Sequence, residues 1–141
     1  MKNPAKAYKE ISYSIIGDSL TVSGSSVINY TDPPQKPSAN YIWIDITNSF
    51  DIGDKGSFLI ELAVEYIIVT KKQPTNNSSL LLEQISEALT ELVIQRGYNT
   101  TSGDFKLISV TLEGSSYGES EIGNVTEMFK RVKCRVIMEE L

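Results

Sequence analysis

The chain has 141 residues, 40% apolar and 22% charged, enough for one domain with a sizeable core. Thirteen Lys and Arg against eighteen Asp and Glu leave a net charge of −5, which argues against nonspecific nucleic-acid binding. There is no histidine and one cysteine, which excludes His-based acid–base chemistry, His-containing triads, an intrachain disulfide and Cys-cluster zinc sites.

Charges interrupt the first residues before any apolar run forms, so no secretory leader is expected. No stretch approaches ~18 consecutive apolar residues. The chain is expected to be made and folded in a cytosol.

Asn3-Pro4 opens the first element, with Asn suited to an N-cap and Pro to the first helical turn. Tyr8, Ile11 and Ile15 recur at helical spacing, and Gly17 can end the run, predicting a helix over 4–17. The Ser/Gly-rich stretch Ser19 to Ser26 is expected to be a connector, followed by a short extended piece, Val27 to Tyr30. Three prolines between Thr31 and Asn40 forbid helix and predict an extended loop.

Tyr41 to Thr47 alternates, with Ile42, Ile44 and Ile46 on one side and Tyr41, Trp43 and Asp45 on the other. That predicts a half-buried strand, then a loop over Asn48 to Ser57. Phe58 to Thr70 alternates again and predicts a long strand antiparallel to the first. After a polar loop, Ser78 or Ser79 can cap a helix carrying Leu81, Ile85, Ala88, Leu89, Leu92 and Val93. Arg96 suits its last turn, and Gly97 stops it.

Phe105 to Leu112 predicts a third strand with Ile108, Val110 and Leu112 on one face. Val125 to Leu141 contains a fourth, with Val132, Cys134, Val136 and Met138 facing inward. The Gly/Ser-rich stretch Glu113 to Thr126 between them reads as a long loop able to act as an arm. The expected fold class is α+β: an antiparallel sheet of about four strands with two helices on one face. The expected order is helix-strand-strand-helix-strand-strand, in a single domain over residues 1–141.

Cys134 lies on an apolar strand face and reads as core, not as a nucleophile. Asp45, Asp51, Asp54 and Glu61 lack the spacing of a calcium loop. Gly53-x-x-Gly56 and Gly114-x-x-x-Gly118 do not match a phosphate loop. Lys130, Arg131, Lys133 and Arg135 form the one basic cluster, suited to ion pairing or solubility more than to DNA phosphate. No catalytic, cofactor-binding or metal-binding residue is expected. Trp43 shares its face with Tyr41 and Asp45; it either packs under the first helix or a loop, or forms a subunit contact.

One order of elements carries a resemblance. An N-terminal helix precedes the extended Val27-Ile28-Asn29-Tyr30-Thr31-Asp32-Pro33-Pro34-Gln35 and the aromatic strand Tyr41-Ile42-Trp43-Ile44. The long strand Phe58 to Thr70, the Leu81 to Val93 helix and a final hairpin beginning Phe105-x-Leu107-Ile108-Ser109-Val110 follow. This order resembles the tail completion, or tail terminator, proteins of long-tailed phages and prophages. The stretch before the aromatic strand is longer than usual for that family.

The resemblance implies a non-enzymatic structural protein that forms a ring, typically of six subunits. The ring caps the tail tube and joins it to the head. It implies three partners: further copies of the chain, the tail tube protein and a head–tail connector protein. Neither a membrane nor a specific nucleic acid is implied. The place would be the host cytoplasm during assembly and then the virion tail. Tyr41, Trp43, Phe50, Tyr117 and Ile122 are the residues available for subunit or tube contacts. The alternatives are a neck or head-completion connector, a cytosolic small-ligand module and, last, an enzyme using Asp or Glu alone.

Overall fold

In the computed structural model, which describes residues 3–35, 40–53, 58–71, 78–96, 100–122 and 125–141, helix α1 spans Pro4–Ile16. The Asn3 side chain accepts the Lys6 N–H at 3.1 Å, and Gly17, at φ 81°, returns its N–H to the Tyr13 carbonyl. The helix buries Ala7, Tyr8, Ile11, Ser12 and Ile16.

The Ser/Gly stretch is not a connector. It forms a hairpin, β1 (Ser19–Val22) and β2 (Ser25–Tyr30), whose register runs from Ser19–Ile28 to Val22–Ser25. The two residues between the strands, Ser23 at φ 51° and Gly24 at φ 78°, both sit in the left-handed region. A two-residue turn with positive φ at both positions matches the twist of the flanking strands, so what reads as loop composition is turn chemistry.

Strand β3 (Tyr41–Asp51) lies parallel to β2, with Ile28 opposite Tyr41 and Tyr30 opposite Trp43. It also pairs antiparallel with β4 (Leu59–Lys71). The loop expected over Asn48 to Ser57 thus begins only after Asp51; residues 54–57 lie outside the described part. Helix α2 (Ser78–Arg96) buries Leu82, Ile85, Ser86, Leu89 and Val93, one stripe at helical spacing. The loop before it and Gly97 after it fall on residues 72–77 and 97–99, also outside that part.

The short β5 (Thr101–Ser102) pairs with β6 (Phe105–Ile122), which pairs in turn with β7 (Val125–Glu140). The expected loop over Glu113 to Thr126 is instead ladder: Gly114 through Ile122 pair with Lys133 through Val125. Bulges between Leu107 and Ser109 and between Leu112 and Gly114 make Ile108 and Glu113 the extra residues. The first bulge also corrects the face of this strand. Phe105 and Leu107 are the core residues before it, Val110 after it, and Ile108 is 36% exposed.

The expected sheet of about four antiparallel strands is therefore overturned. The described residues form a seven-stranded mixed sheet in the order β1-β2-β3-β4-β7-β6-β5, and the chain order is α1-β1-β2-β3-β4-α2-β5-β6-β7. Both helices cover one face. There, α1 and α2 pack on Ile42, Ile44, Leu62, Val64, Tyr66, Ile68, Leu107, Val110, Val132, Cys134, Val136 and Met138. Within this core the Tyr66 hydroxyl meets those of Tyr8 at 2.7 Å and Ser12 at 2.8 Å, so three buried polar groups satisfy one another.

Candidate subunit interface

The face turned away from the helices carries a second, smaller apolar cluster. Side chains alternate across a strand, so the residues opposite the isoleucine row of β3 all project here. Tyr41 stands opposite Val69, and Trp43 opposite Ile67. On the other side of β4, Phe129 pairs with Val69 and Arg131 with Ile67. Tyr41, Ile67 and Val69 are buried even though no helix covers them, because Tyr30, Trp43 and Phe129 pack against them. The Tyr30 and Tyr41 rings meet edge to face with centroids 6.0 Å apart, and the Arg131 guanidinium lies 5.7 Å from the centre of the Phe129 ring. Desolvation, followed by the charge of Glu127 and then Tyr30, raises the Tyr41 phenol above its ordinary pKa.

Phe50 reaches the same face by a local irregularity. Strict alternation from Trp43 would send an even-numbered residue to the helix side. Thr47 is an extra residue between Ile46 and Asn48, so Phe50 lands opposite Glu61 on the open face, 48% exposed. Three of the five expected contact residues, Tyr41, Trp43 and Phe50, thus share one surface. Trp43 does not pack under α1; it lies on the other side of the sheet.

Beyond the aromatic strip the open face is charged but balanced. Arg131 Nη1 lies 3.2 Å from Glu65 Oε2, and the Arg135 Nε–H donates to Glu61 Oε1. Lys133 stands in register with Glu65. The basic stripe of β7 is engaged by the acidic stripe of β4, leaving a surface of apolar groups and mutually compensated charges.

Tyr117 sits elsewhere. It pairs in register with Lys130 on the helix face, and its ring centre lies 5.1 Å from Lys130 Nζ. Lys130 is 8% exposed and donates to Glu83 Oε2 of α2 at 3.1 Å. A hydrogen bond from Tyr117, and then Lys130 acting against desolvation, holds the Glu83 carboxyl below its ordinary pKa. Burial opposes the Lys130 charge, but hydrogen bonds to Tyr117 and Glu83 outweigh it and raise its pKa. Tyr117 itself remains 60% exposed. Ile122 pairs with Val125 at the hairpin tip; its side chain lies outside the described part.

The sequence reading missed Tyr30, Phe129 and the Glu83–Lys130–Tyr117 cluster. Phe129 carried a signal, since it falls two positions before Arg131 on the alternating strand. Glu83 carried none, because only the packing of α2 brings it to β7.

Cys134 lies in the core at 4% exposure, and burial followed by the charge of Glu113 pushes its thiol up to about 12. Such a thiol is not a nucleophile at neutral pH. Among the described residues no three His, Cys, Asp or Glu side chains gather as a metal site, and no helix is long and apolar enough to cross a membrane.

No family model matches the chain, and no curated protein does either. Its fold does match solved structures. Superposed on one chain of the virion of a native gene transfer agent particle, it gives a TM-score of 0.71 at 13% identity, with 96% of each chain covered. The mixed sheet with two helices on one face is thus a fold found in a component of that virion.

Proposed function

We propose that this chain is a structural, non-enzymatic protein of a phage-like particle. In this reading it is a single tail-terminator-like domain over residues 1–141 that forms a ring, caps the tail tube and joins tail to head. The observation that carries the reading is the fold shared over nearly full length with a gene transfer agent virion chain. Size, element order and the open-face strip support it. Tyr41, Trp43 and Phe50 offer aromatic contact area, which is enriched where proteins bind one another. Arg131 and Arg135 are paired with Glu65 and Glu61, which favours a protein surface over phosphate as the neighbour of β7. The partners are further copies, the tail tube protein and a head–tail connector. The protein acts in the host cytoplasm during assembly and then in the virion tail, with Tyr117 and Ile122 completing the contact set.

The test is light scattering and negative-stain microscopy of the purified chain, alone and with the tube protein encoded by the same genome. Rings, or a monomer that forms rings on the tube end, are expected. A chain that stays monomeric with tubes present overturns the reading. Capture on heads but not on tubes would place it in the neck instead.

A further inference from the structure

Tyr41, Trp43 and Phe50 lie on one side of the sheet and Tyr117 on the other, and the two surfaces differ in charge. On the helix side, Leu112 stands in register with Cys134 and Tyr117 with Lys130, so both project beside α2. Both are exposed, as is Leu80, three residues before Glu83 on that helix. The charge around them is of one sign. Glu87 and Glu91 follow Glu83 at successive turns of α2 and are exposed. Glu113 is exposed on β6, and its charge reaches the Cys134 thiol. Lys130 is taken up by Glu83, and no ion pair reaches Glu87, Glu91 or Glu113 among the described residues.

The open face presents the opposite sign in its outermost layer. Its ion pairs balance in sum, but the cations stand outside the carboxylates. The Arg131 side chain is 41% exposed against 19% for Glu65, and that of Arg135 is 47% exposed against 22% for Glu61. Lys133, between the two arginines on β7, is exposed as well. Trp43 and Phe129 flank these three heads at one end, and Phe50, opposite Glu61, at the other. Two other places with exposed apolar groups lack this outer positive layer. Tyr13 of α1 lies beside Lys9, whose partner Asp32 is the more exposed member of the pair. Ile52 and Phe58 gather where β3 ends and β4 begins, beside Asp51 and Glu139.

We infer that the helix side of the β6–β7 hairpin in one copy, with the adjoining flank of α2, packs on the open face of the next copy. This rests on the ring reading and names the two surfaces that would build the ring. Leu112 and Tyr117 bring apolar area to meet Trp43 and Phe129. Glu87, Glu91 and Glu113 then face the outward heads of Arg131, Lys133 and Arg135. Contacts between like surfaces fail on charge: helix side against helix side brings carboxylates together, and open face against open face brings cations together. Each would also stop at a dimer. Joining two different surfaces is heterologous and closes into a ring when the rotation allows.

Charge reversal across the contact tests this, read by light scattering of the full chain at fixed salt, alone and with the tube protein. Glu87→Lys/Glu91→Lys and Lys133→Glu should each raise the concentration needed for assembly by about tenfold or more. All three changes in one chain should restore it to within about threefold of wild type, because the groups lie on opposite sides of the sheet and meet only between copies. Should Lys133→Glu lower the melting temperature by placing a second carboxylate beside Glu65, Lys133→Gln replaces it. The α2 reversal should then cost less in that background than in wild type, and equal costs overturn the inference. Wild-type rings that tolerate either reversal, or a triple variant no better than the worse of the two, overturn it and leave the ring reading standing. A wild-type dimer that grows no further overturns it as well. The absence of any wild-type assembly sinks both.

Discussion

The Phe129 ring packs across the backbone of Gly118, its partner on the neighbouring strand, so closely that a Cβ on that glycine would collide with the ring. The absence of a side chain at Gly118 is what lets the aromatic group of β7 occupy that space on the open face.

Gly118→Val should therefore destabilise the protein by roughly 1–3 kcal/mol, since the ring must leave its place. In a Phe129→Ala background the same change should be neutral or stabilising, because valine suits a strand better than glycine. Urea unfolding of the four-member cycle reads the coupling. Additive effects would show that the ring contact is inconsequential.

Tyr66→Phe removes the hydroxyl that both Tyr8 and Ser12 use, leaving two buried polar groups short of a partner. A cost of roughly 1–3 kcal/mol is expected. The triple change Tyr8→Phe, Ser12→Ala, Tyr66→Phe should cost less than the sum of the singles, since it leaves no orphan. Chemical denaturation of the set checks both statements.

Glu83→Ala should destabilise more than Lys130→Met. The first change leaves a largely buried ammonium beside Tyr117 without its carboxylate, whereas the second replaces the ammonium with apolar bulk and lets the half-exposed Glu83 return to water. The expected order is read from urea midpoints. Equal midpoints would mean that Lys130 reaches water without its partner.

Stability should fall in alkali, beginning with the thiol. Cys134 titrates near 9 when unfolded and is pushed up to about 12 in the core, so the folded state keeps the proton longer. Stabilisation from this group is complete below pH 9 and is lost as pH rises toward 12, at roughly 1.4 kcal/mol per pH unit. Burial also raises the Tyr8 and Tyr66 phenols, which extends the decline above pH 10. Unfolding midpoints of Cys134→Ala should be flatter than wild type between pH 9 and 10. Parallel slopes would show that the thiol is not responsible.

Phe50→Asp should leave monomer stability within about 0.5 kcal/mol of wild type, because half of the side chain is already in water. Ring formation should be lost. If rings form normally, Phe50 lies outside the contact.

Residue order by itself determined what depends on neighbours along the chain. The Asn3-Pro4 start and Gly17 stop of α1 are local signals. The buried stripe of α2 and the two faces of β3 and β4 follow from periodicity, because side-chain direction repeats at 3.6 or 2 residues. The same alternation placed Cys134 in the core and set Tyr41 and Trp43 together on one face. Tertiary structure decided the rest. Ser19 to Ser26 and Glu113 to Thr126 are rich in Ser and Gly, and such residues become strand only when a partner strand supplies the hydrogen bonds that their own propensity does not favour. The bulges at Thr47, Ile108 and Glu113 likewise arise from cross-strand pairing. That is why Phe50 joins Trp43 and why Ile108 leaves the core row, although simple alternation predicts neither.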